Sequence, residues 1–458
     1  MPKPYNSPYL SILGYGHCIT GYLNDGTSDK YYDYVVNVGA CGGDILMQDS
    51  AAWIWLTIGE TAVLATTILC VATVAAAILM LPVLLFAIEC IAGVWPSVRR
   101  SSSTSARPPV AVLIPAHNES SGIASTLRNV REQARPGDRL VVVADNCDDD
   151  TAEIARSEGA EVVVRKDPVN RGKGYALDAG IRYLAQTPCD VVMILDADCR
   201  IQPGTINELA AAALSTGRPV QARNLVHAPP GSGLNLAVAE FAFLVKNHVR
   251  PLGLSRLGLP CQLTGTGMAF PWAVIEGADL ANGHRTEDMK LGLELAAAGY
   301  PSSFCNNAMV TSLFPYSDHG LETQRQRWEG GHLSMMRFAF RSLFSVRRGL
   351  TLSYLLMLLD VMIPPLTLLV AASVAILLLN AVVAVSGVGV LPLAISGASL
   401  VLLVIAVGLG WLAHGRTVLP ARNLAQIPLY AISKLKSYPK VVLLGKNSTW
   451  VRTDRSSK

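Results

Sequence analysis

The chain has 458 residues, of which 51% are hydrophobic and only 16% charged, a balance that argues for a membrane protein and against two ordinary soluble domains. Its net charge of +4 sits mostly beside the apolar stretches, so it does not indicate a nucleic-acid partner. Nine cysteines are scattered without a Cys-x-x-Cys pair, which leaves no metal-ligand spacing among them.

Residues 1–52, rich in Gly, Tyr and Asn, carry no readable chemistry. Thr61 to Ile88 is uncharged between Glu60 and Glu89, longer than the roughly 20 residues needed to cross a bilayer. A secretory signal would lie nearer the start and be shorter, so none is expected. Val361 to Ala413 is also uncharged, and Ser386-Gly387-Val388-Gly389 with Pro392 divides it into two spans. Arg99 and Arg100 follow the first span, Arg347 and Arg348 precede the second, and Arg416, Arg422, Lys434, Lys436 and Lys440 follow the third. Basic residues gather on the cytoplasmic side. The expected organisation is therefore an extracytoplasmic segment at 1–52, a first span within 53–98, a cytoplasmic domain at 99–350, two spans within 351–415 and a cytoplasmic, interfacial tail at 416–458. Only Cys18 and Cys41 would then face an oxidising compartment, where a disulfide and two free thiols are both open.

Between the spans the pattern changes. "VAVLIPAHNES" reads as a buried strand stopped by a loop at Pro115, and "RLVVVADNCDDD", "AEVVVRK" and "DVVMILDADCR" read as further strands separated by helical stretches such as "TAEIARSEG" and "GYALDAGIRYLA". This alternation predicts an α/β fold with a mostly parallel sheet covered by helices on both faces. Ligands of such sheets bind at the carboxyl ends of the strands. The candidates there are His117, Asn118 and Glu119 after the first strand, Asp145 after the second, Lys173 in the glycine-rich run Arg171-Gly172-Lys173-Gly174, and Asp196-Ala197-Asp198 after a run of apolar residues.

Asp148 to Asp150 precede a helix and read as structural caps. Two carboxylates one residue apart beside a crevice, Asp196 and Asp198, suit a hard divalent cation, which would complete its shell with a phosphate-bearing ligand. Lys173 either supplies charge to that ligand or is a solvated surface lysine. Gly265 and Gly267 mark a sharp turn or a close backbone approach. Thr286 starts a helix with Glu287 and Asp288 in its first turn, where negative charge is favoured, so one of the two acids is left to point at the crevice as a general base. Trp328 offers a flat face to a sugar ring or anchors the chain at a membrane interface.

In this order, "PAHNE", "ADNCDDDTAEIA", "RGKGYALDAGI", "ILDADC", "TGTGMAF", "TEDMKLGLEL" and "QRQRW" resemble the family 2 inverting membrane glycosyltransferases of the cellulose, chitin and hyaluronan synthase type, and "STWVRTDR" is similar to the tail of bacterial exopolysaccharide members. The likeness covers roughly residues 108–455. It implies a nucleotide-diphospho-sugar transferase domain with Rossmann-like topology, Mg2+ or Mn2+ as cofactor, and a nucleotide-sugar donor, with a UDP-sugar expected. Carried over residue by residue, it implies that Pro115, His117, Asn118, Glu119 and Asp145 hold the uridine, that Asp196 contacts the nucleotide side and Asp198 the metal, and that Asp288, beside Glu287, is the catalytic base. Gln324, Arg327 and Trp328 match Gln-x-x-Arg-Trp, with the arginine serving the diphosphate and the tryptophan the acceptor sugar. Ala144-Asp145 departs from the paired aspartates common at the second strand.

With only three spans, transfer of one sugar to a lipid-linked or saccharide acceptor in a bacterial plasma membrane is expected. A processive synthase that dimerises or borrows an export partner is the alternative. The tail segment "LAQIPLYAISKLKSYPKVVLLG" would lie among membrane lipids, guiding an acceptor or only anchoring the chain. A nucleotidyltransferase would have no use for three spans or for Trp328, and a transporter would place ionisable residues inside its spans.

Overall fold

The computed structural model describes residues 61–96, 107–284, 286–345 and 351–426, together with the backbone of 13–15, 18–23, 32–37 and 50–60. The side chains of Cys18 and Cys41, the basic clusters at 99–100 and 347–348, and the tail from 427 onward lie outside the described residues. By internal contacts the chain divides into Met1–Thr66 and Thr67–Lys458. The first unit contains a three-stranded antiparallel sheet of β1 (Leu13–Tyr15), β2 (Cys18–Leu23) and β3 (Tyr32–Asn37), in that order.

Among the described residues, three helices are long and apolar enough to cross a membrane. α1 (Ser50–Val94) carries the first over Thr61–Val94 as one continuous helix, and the other two candidate spans are Leu366–Val385 and Leu391–Gly415. Many of their large side chains, such as Val71, Ile78, Leu378 and Val404, are exposed.

The second unit is built on an eight-stranded sheet. Its elements run β4 (Val110–Ala116), α2 (Ile123–Arg131), β5 (Arg139–Asp145), α3 (Thr151–Ser157), β6 (Glu161–Arg165), α4 (Lys173–Leu184), β7 (Val191–Ile194), β8 (Arg200–Ile201), α5 (Thr205–Thr216) and β9 (Val220–His227). There follow α6 (Leu234–Leu244), a π-helical turn (Val245–Val249), α7 (Arg250–Arg256), β10 (Met268–Pro271), α8 (Trp272–Ile275), α9 (Glu287–Ala297), β11 (Ser303–Leu313), α10 (Asp318–Leu343), α11 (Leu352–Val361), α12 (Leu366–Val385) and α13 (Leu391–Gly410). The strand order is β6-β5-β4-β7-β10-β9-β11-β8. β4, β5, β6 and β7 run parallel, as do β9 and β11, while β10 is antiparallel to both β7 and β9.

The continuous apolar runs of β4, β5 and β7 follow from burial on both faces. On one face they meet Ile123, Leu127, Ile206 and Leu209 of α2 and α5; on the other, Leu177, Ile181, Leu291 and Leu295 of α4 and α9. Two further cores tie this domain to the apolar helices. Val83, Phe86, Phe241, Leu369 and Leu403 join α1, α6, α12 and α13, and Met289, Leu293, Met335, Tyr354 and Leu358 join α9, α10 and α11. α11, at ten residues, is not expected from the sequence as a separate element; it is too short to cross a bilayer and packs against α9 and α10.

Candidate active site

The carboxyl ends of β4, β5 and β7 open into one crevice lined by Pro115, His117, Glu119, Asp145, Lys173, Asp196, Asp198 and Arg327. Asp145 is buried and not free. Its Oδ1 accepts from Arg165 Nη1 at 2.6 Å and from Asn146 Nδ2 at 3.0 Å, and its carbonyl lies 2.7 Å from His117 Nδ1. Arg165, at the end of β6 and 5.5 Å from the Tyr175 ring centroid, was missed from the sequence, although a charge closing an apolar strand beside the crevice was its signal. Asn118 does not line the crevice. It takes a positive φ of 54°, which Asn tolerates, and its Oδ1 accepts from Asp148 N at 2.8 Å, so it shapes the loop. Asp149 is likewise structural, accepting from the backbone of Ser120 and Thr151 at 3.1 Å each.

Lys173, the first residue of α4, donates to Asp196 and, at 2.6 Å, to the carbonyl of Gly265. Burial opposes its charge, but Asp196 and Glu287 outweigh that and raise its pKa. Asp196, Asp198 and Cys199 offer ligand atoms within 4.8 Å of one another. The two carboxylates are half-exposed, whereas burial pushes the Cys199 thiol up to about 12. A protonated thiol is a poor ligand, so the donor set that fits is two hard oxygens, suited to Mg2+ or Mn2+.

The turn before β10 brings the rest together. Gln221 accepts from Thr264 N at 2.8 Å and donates to Thr266 O at 2.9 Å, and Thr266 Oγ1 accepts from Asp196 N at 3.0 Å. Gly265 has φ +90°, and a Cβ there would meet Asp288 Oδ2 at 3.3 Å; at Gly267, φ +65°, it would meet Val310 at 2.6 Å. Both glycines are thus required by backbone conformation and close approach.

Thr286 is the N-cap residue of α9, but its hydroxyl faces His284 Nδ1 at 3.2 Å and makes no cap bond. Glu287 and Asp288 both line the cavity, so the expectation that one of the two points into the crevice understated the outcome. Burial, then the neighbouring Asp288, raises Glu287 to about 7; burial also raises Asp288, against the pull of Lys173.

α10 is capped by Ser317, whose Oγ accepts from Gly320 N at 3.0 Å, and packs so closely on the start of α9 that a Cβ on Gly331 would meet Thr286 Cγ2 at 2.4 Å. Gln324, Arg327, Trp328 and His332 recur at helical spacing and share one face, the one turned to the cavity. The Trp328 ring packs on Phe243 and Phe314, with centroids 5.1 and 6.4 Å away. His332 is buried, which lowers its pKa to about 3, and its Nε2 donates to Val361 O at 3.0 Å. Lys246, Asn247, Arg250 and Gln262 also line this cavity and were not legible as site residues; they lie before the motif at 264–270, in a stretch of sequence that carries none.

A crevice at the strand ends of a mostly parallel sheet, holding paired carboxylates, thus shares Lys173, Asp196, Asp198 and Arg327 with a second chamber lined by Glu287, Asp288 and Trp328. The sequence pattern of the glycosyltransferase-like family 2 matches residues 108–331. An uncharacterised glycosyltransferase of Mycobacterium tuberculosis is 30% identical over 200 residues, 39% of this chain and 86% of that protein. The chain belongs to glycosyltransferase family 2 and is a glycosyltransferase. A poly-beta-1,6-N-acetyl-D-glucosamine synthase of Staphylococcus aureus is 28% identical over 250 residues, 52% of this chain and 58% of that one. The chain spans 42% of the length of an uncharacterised protein of Methanocaldococcus jannaschii, with 34% identity over 106 residues. Among solved structures, the mannosyltransferase PcManGT from Pyrobaculum calidifontis, in complex with GDP-Man and Mn2+, covers 82% of this chain and 95% of its own at 17% identity and a TM-score of 0.47.

Proposed function

We propose that this glycosyltransferase is membrane-bound and inverting, moving a sugar from a nucleotide-sugar, in the first instance a UDP-sugar, to a lipid-linked or saccharide acceptor, with its catalytic domain on the cytoplasmic face of a bacterial plasma membrane. The observation that carries this reading is the wall that the crevice and the second chamber share, Lys173, Asp196, Asp198 and Arg327, with Asp288 and Trp328 lining the second chamber alone.

Pro115, His117, Glu119 and Asp145 would receive the base and ribose at the end of β4 and β5. Asp196 and Asp198 would hold Mg2+ or Mn2+, which when bound supplies positive charge to the donor diphosphate. Lys173 and Arg327 add charge where the leaving diphosphate becomes more negative, the usual major term in such transfers. Asp288 takes the proton of an acceptor hydroxyl as that oxygen forms its bond to the anomeric carbon, the bond to the diphosphate breaks and the configuration inverts. Trp328, backed by Phe243 and Phe314, gives the acceptor sugar a rigid apolar shelf.

A second reading, repeated addition to make a polysaccharide, is favoured by Gln324, Arg327 and Trp328 on one helix face and by the likeness to the staphylococcal synthase. Detergent-solubilised protein, a panel of sugar nucleotides and product sizing separate the two. Asp288→Ala is expected to abolish metal-dependent release of nucleoside diphosphate; undiminished release would remove Asp288 from the chemistry.

A further inference from the structure

Beyond the catalytic cavity lies a second one of about 490 Å3, lined by Phe86 of α1, Phe243 of α6, Trp328 of α10 and Pro364 to Thr367 at the head of α12. Phe86 belongs to the first candidate span, and Leu366 begins the second. The cavity therefore leads from the ends of two apolar helices to the catalytic chamber, with which it shares Trp328, Gln324 and Lys246.

The charges in it are unevenly answered. Arg250 is held by Glu89 at 2.6 Å and by Asp360, Glu322 accepts from Gln326 at 3.2 Å, and Arg325 faces Glu329 at 3.9 Å. Lys246 makes no hydrogen bond or ion pair among the described residues, and burial lowers its pKa against the longer-range pull of Asp288. It sits in the π-helical turn Val245–Val249, a widening of the helix often found at functional sites. Next to it Asn247 Oδ1, and in the same chamber Gln262 Oε1, are buried oxygens without a hydrogen-bond partner among the described residues, able to accept from sugar hydroxyls.

We propose that this cavity admits a lipid phosphosugar, with the apolar chain along Phe86 and Leu366, the phosphate on Lys246, and the sugar between Trp328 and Asp288 with hydroxyls on Asn247 and Gln262. The proposal rests on the transfer reading above and names its acceptor class. The acceptor hydroxyl forms the new bond to the anomeric carbon, its proton passes to Asp288 and the electron pair of the broken bond leaves with the nucleoside diphosphate, so the acceptor phosphate is bound and not consumed.

Full-length protein in detergent is tested first for binding of undecyl phosphate by equilibrium dialysis. Undecanol and inorganic phosphate at equal concentration should not displace it, and Lys246→Gln should weaken it by about tenfold or more. Because Lys246 has no hydrogen bond or ion pair to lose among the described residues and its burial is costly, the variant should melt no lower than the parent, which separates lost binding from lost folding. Undecyl phosphosugars are then compared with the matching undecyl glycosides over glucose, galactose and N-acetylglucosamine forms. The preference in kcat/KM for the phosphosugar should collapse about tenfold in Lys246→Gln and recover in Lys246→Arg. Undecyl phosphate binding that ignores the substitution, or product formed equally from both acceptor types, overturns the proposal while leaving sugar transfer standing. Lys246-dependent binding with no product from any donor would instead overturn the transfer reading.

Discussion

The ammonium of Lys173 donates to both Asp196 and the carbonyl of Gly265, so one side chain ties the carboxylates after β7 to the turn that faces Asp288. It is the positive centre between the crevice at the strand ends and the two acids, and its charge is preserved by Asp196 and Glu287 against burial. Lys173→Met should reduce kcat by about 10²–10³, the range seen when one preorganised electrostatic contact to developing charge is removed. Single-turnover release of nucleoside diphosphate is the measurement. A change confined to donor KM would make Lys173 a binding residue alone.

Glu287 and Asp288 should set the acid side of the pH profile. Both are carboxyls raised above their ordinary values, Glu287 from 4.5 to about 7, first by burial. A base must be ionised, so kcat/KM should fall as pH drops through about 7, with the pair titrating together. Removing one negative neighbour with Glu287→Gln should move that limb to lower pH. The linkage to stability has the opposite sense: a raised carboxyl stabilises the fold fully below about 4.5, and that contribution is lost as pH rises through about 7. Glu287→Gln should therefore gain about 1–3 kcal/mol at pH 8 and little at pH 4, read from denaturation at both pH values.

The parts of this architecture that were legible in the sequence are those where one local pattern has one structural solution. Buried runs such as Val110–Ala116 can only be central strands, and the acids and glycines that follow them fall at strand ends because the sheet puts them there. Glu287, Asp288, Gln324, Arg327 and Trp328 were recognisable as ordered motifs, and the structure gathers them around one cavity. Lys246, Asn247 and Arg250 were not, because their positions depend on a π-helical turn and on packing against α1 and α11, contacts more than a hundred residues apart in sequence for Arg250. Asn118 shows the converse, a residue in the right motif whose side chain is spent on holding its loop.

Trp328 is supported from behind by Phe243 and Phe314, with centroid separations of 5.1 and 6.4 Å, so its orientation is fixed before any acceptor arrives. Trp328→Ala should lower kcat/KM for the acceptor by about 10- to 100-fold, in line with loss of 1.4–2.8 kcal/mol of aromatic contact and burial, while donor KM stays within about twofold. Trp328→Phe, which keeps a flat ring, should recover a large part. Were Trp328 only an interfacial anchor, acceptor kinetics in detergent would not change, and only partitioning into lipid vesicles would.

Arg250 joins three helices. Its Nε donates to Glu89 of α1 at 2.6 Å, its Nη2 to Asp360 of α11, and its guanidinium lies 5.8 Å from the Phe86 ring centroid, with all three charged side chains less than a tenth exposed. A buried triad of this kind is weak in net terms, because desolvation offsets most of the attraction, but removing its centre leaves two acids without a counter-charge. Arg250→Met should cost about 3–5 kcal/mol, whereas the triple replacement Glu89→Gln, Arg250→Met and Asp360→Asn should unfold within about 1–2 kcal/mol of the parent. Equal losses in the single and triple variants would mean that packing of the arginine stem, and not charge balance, holds α1 to α7 and α11. Thermal unfolding of the three proteins in the same detergent decides between these outcomes.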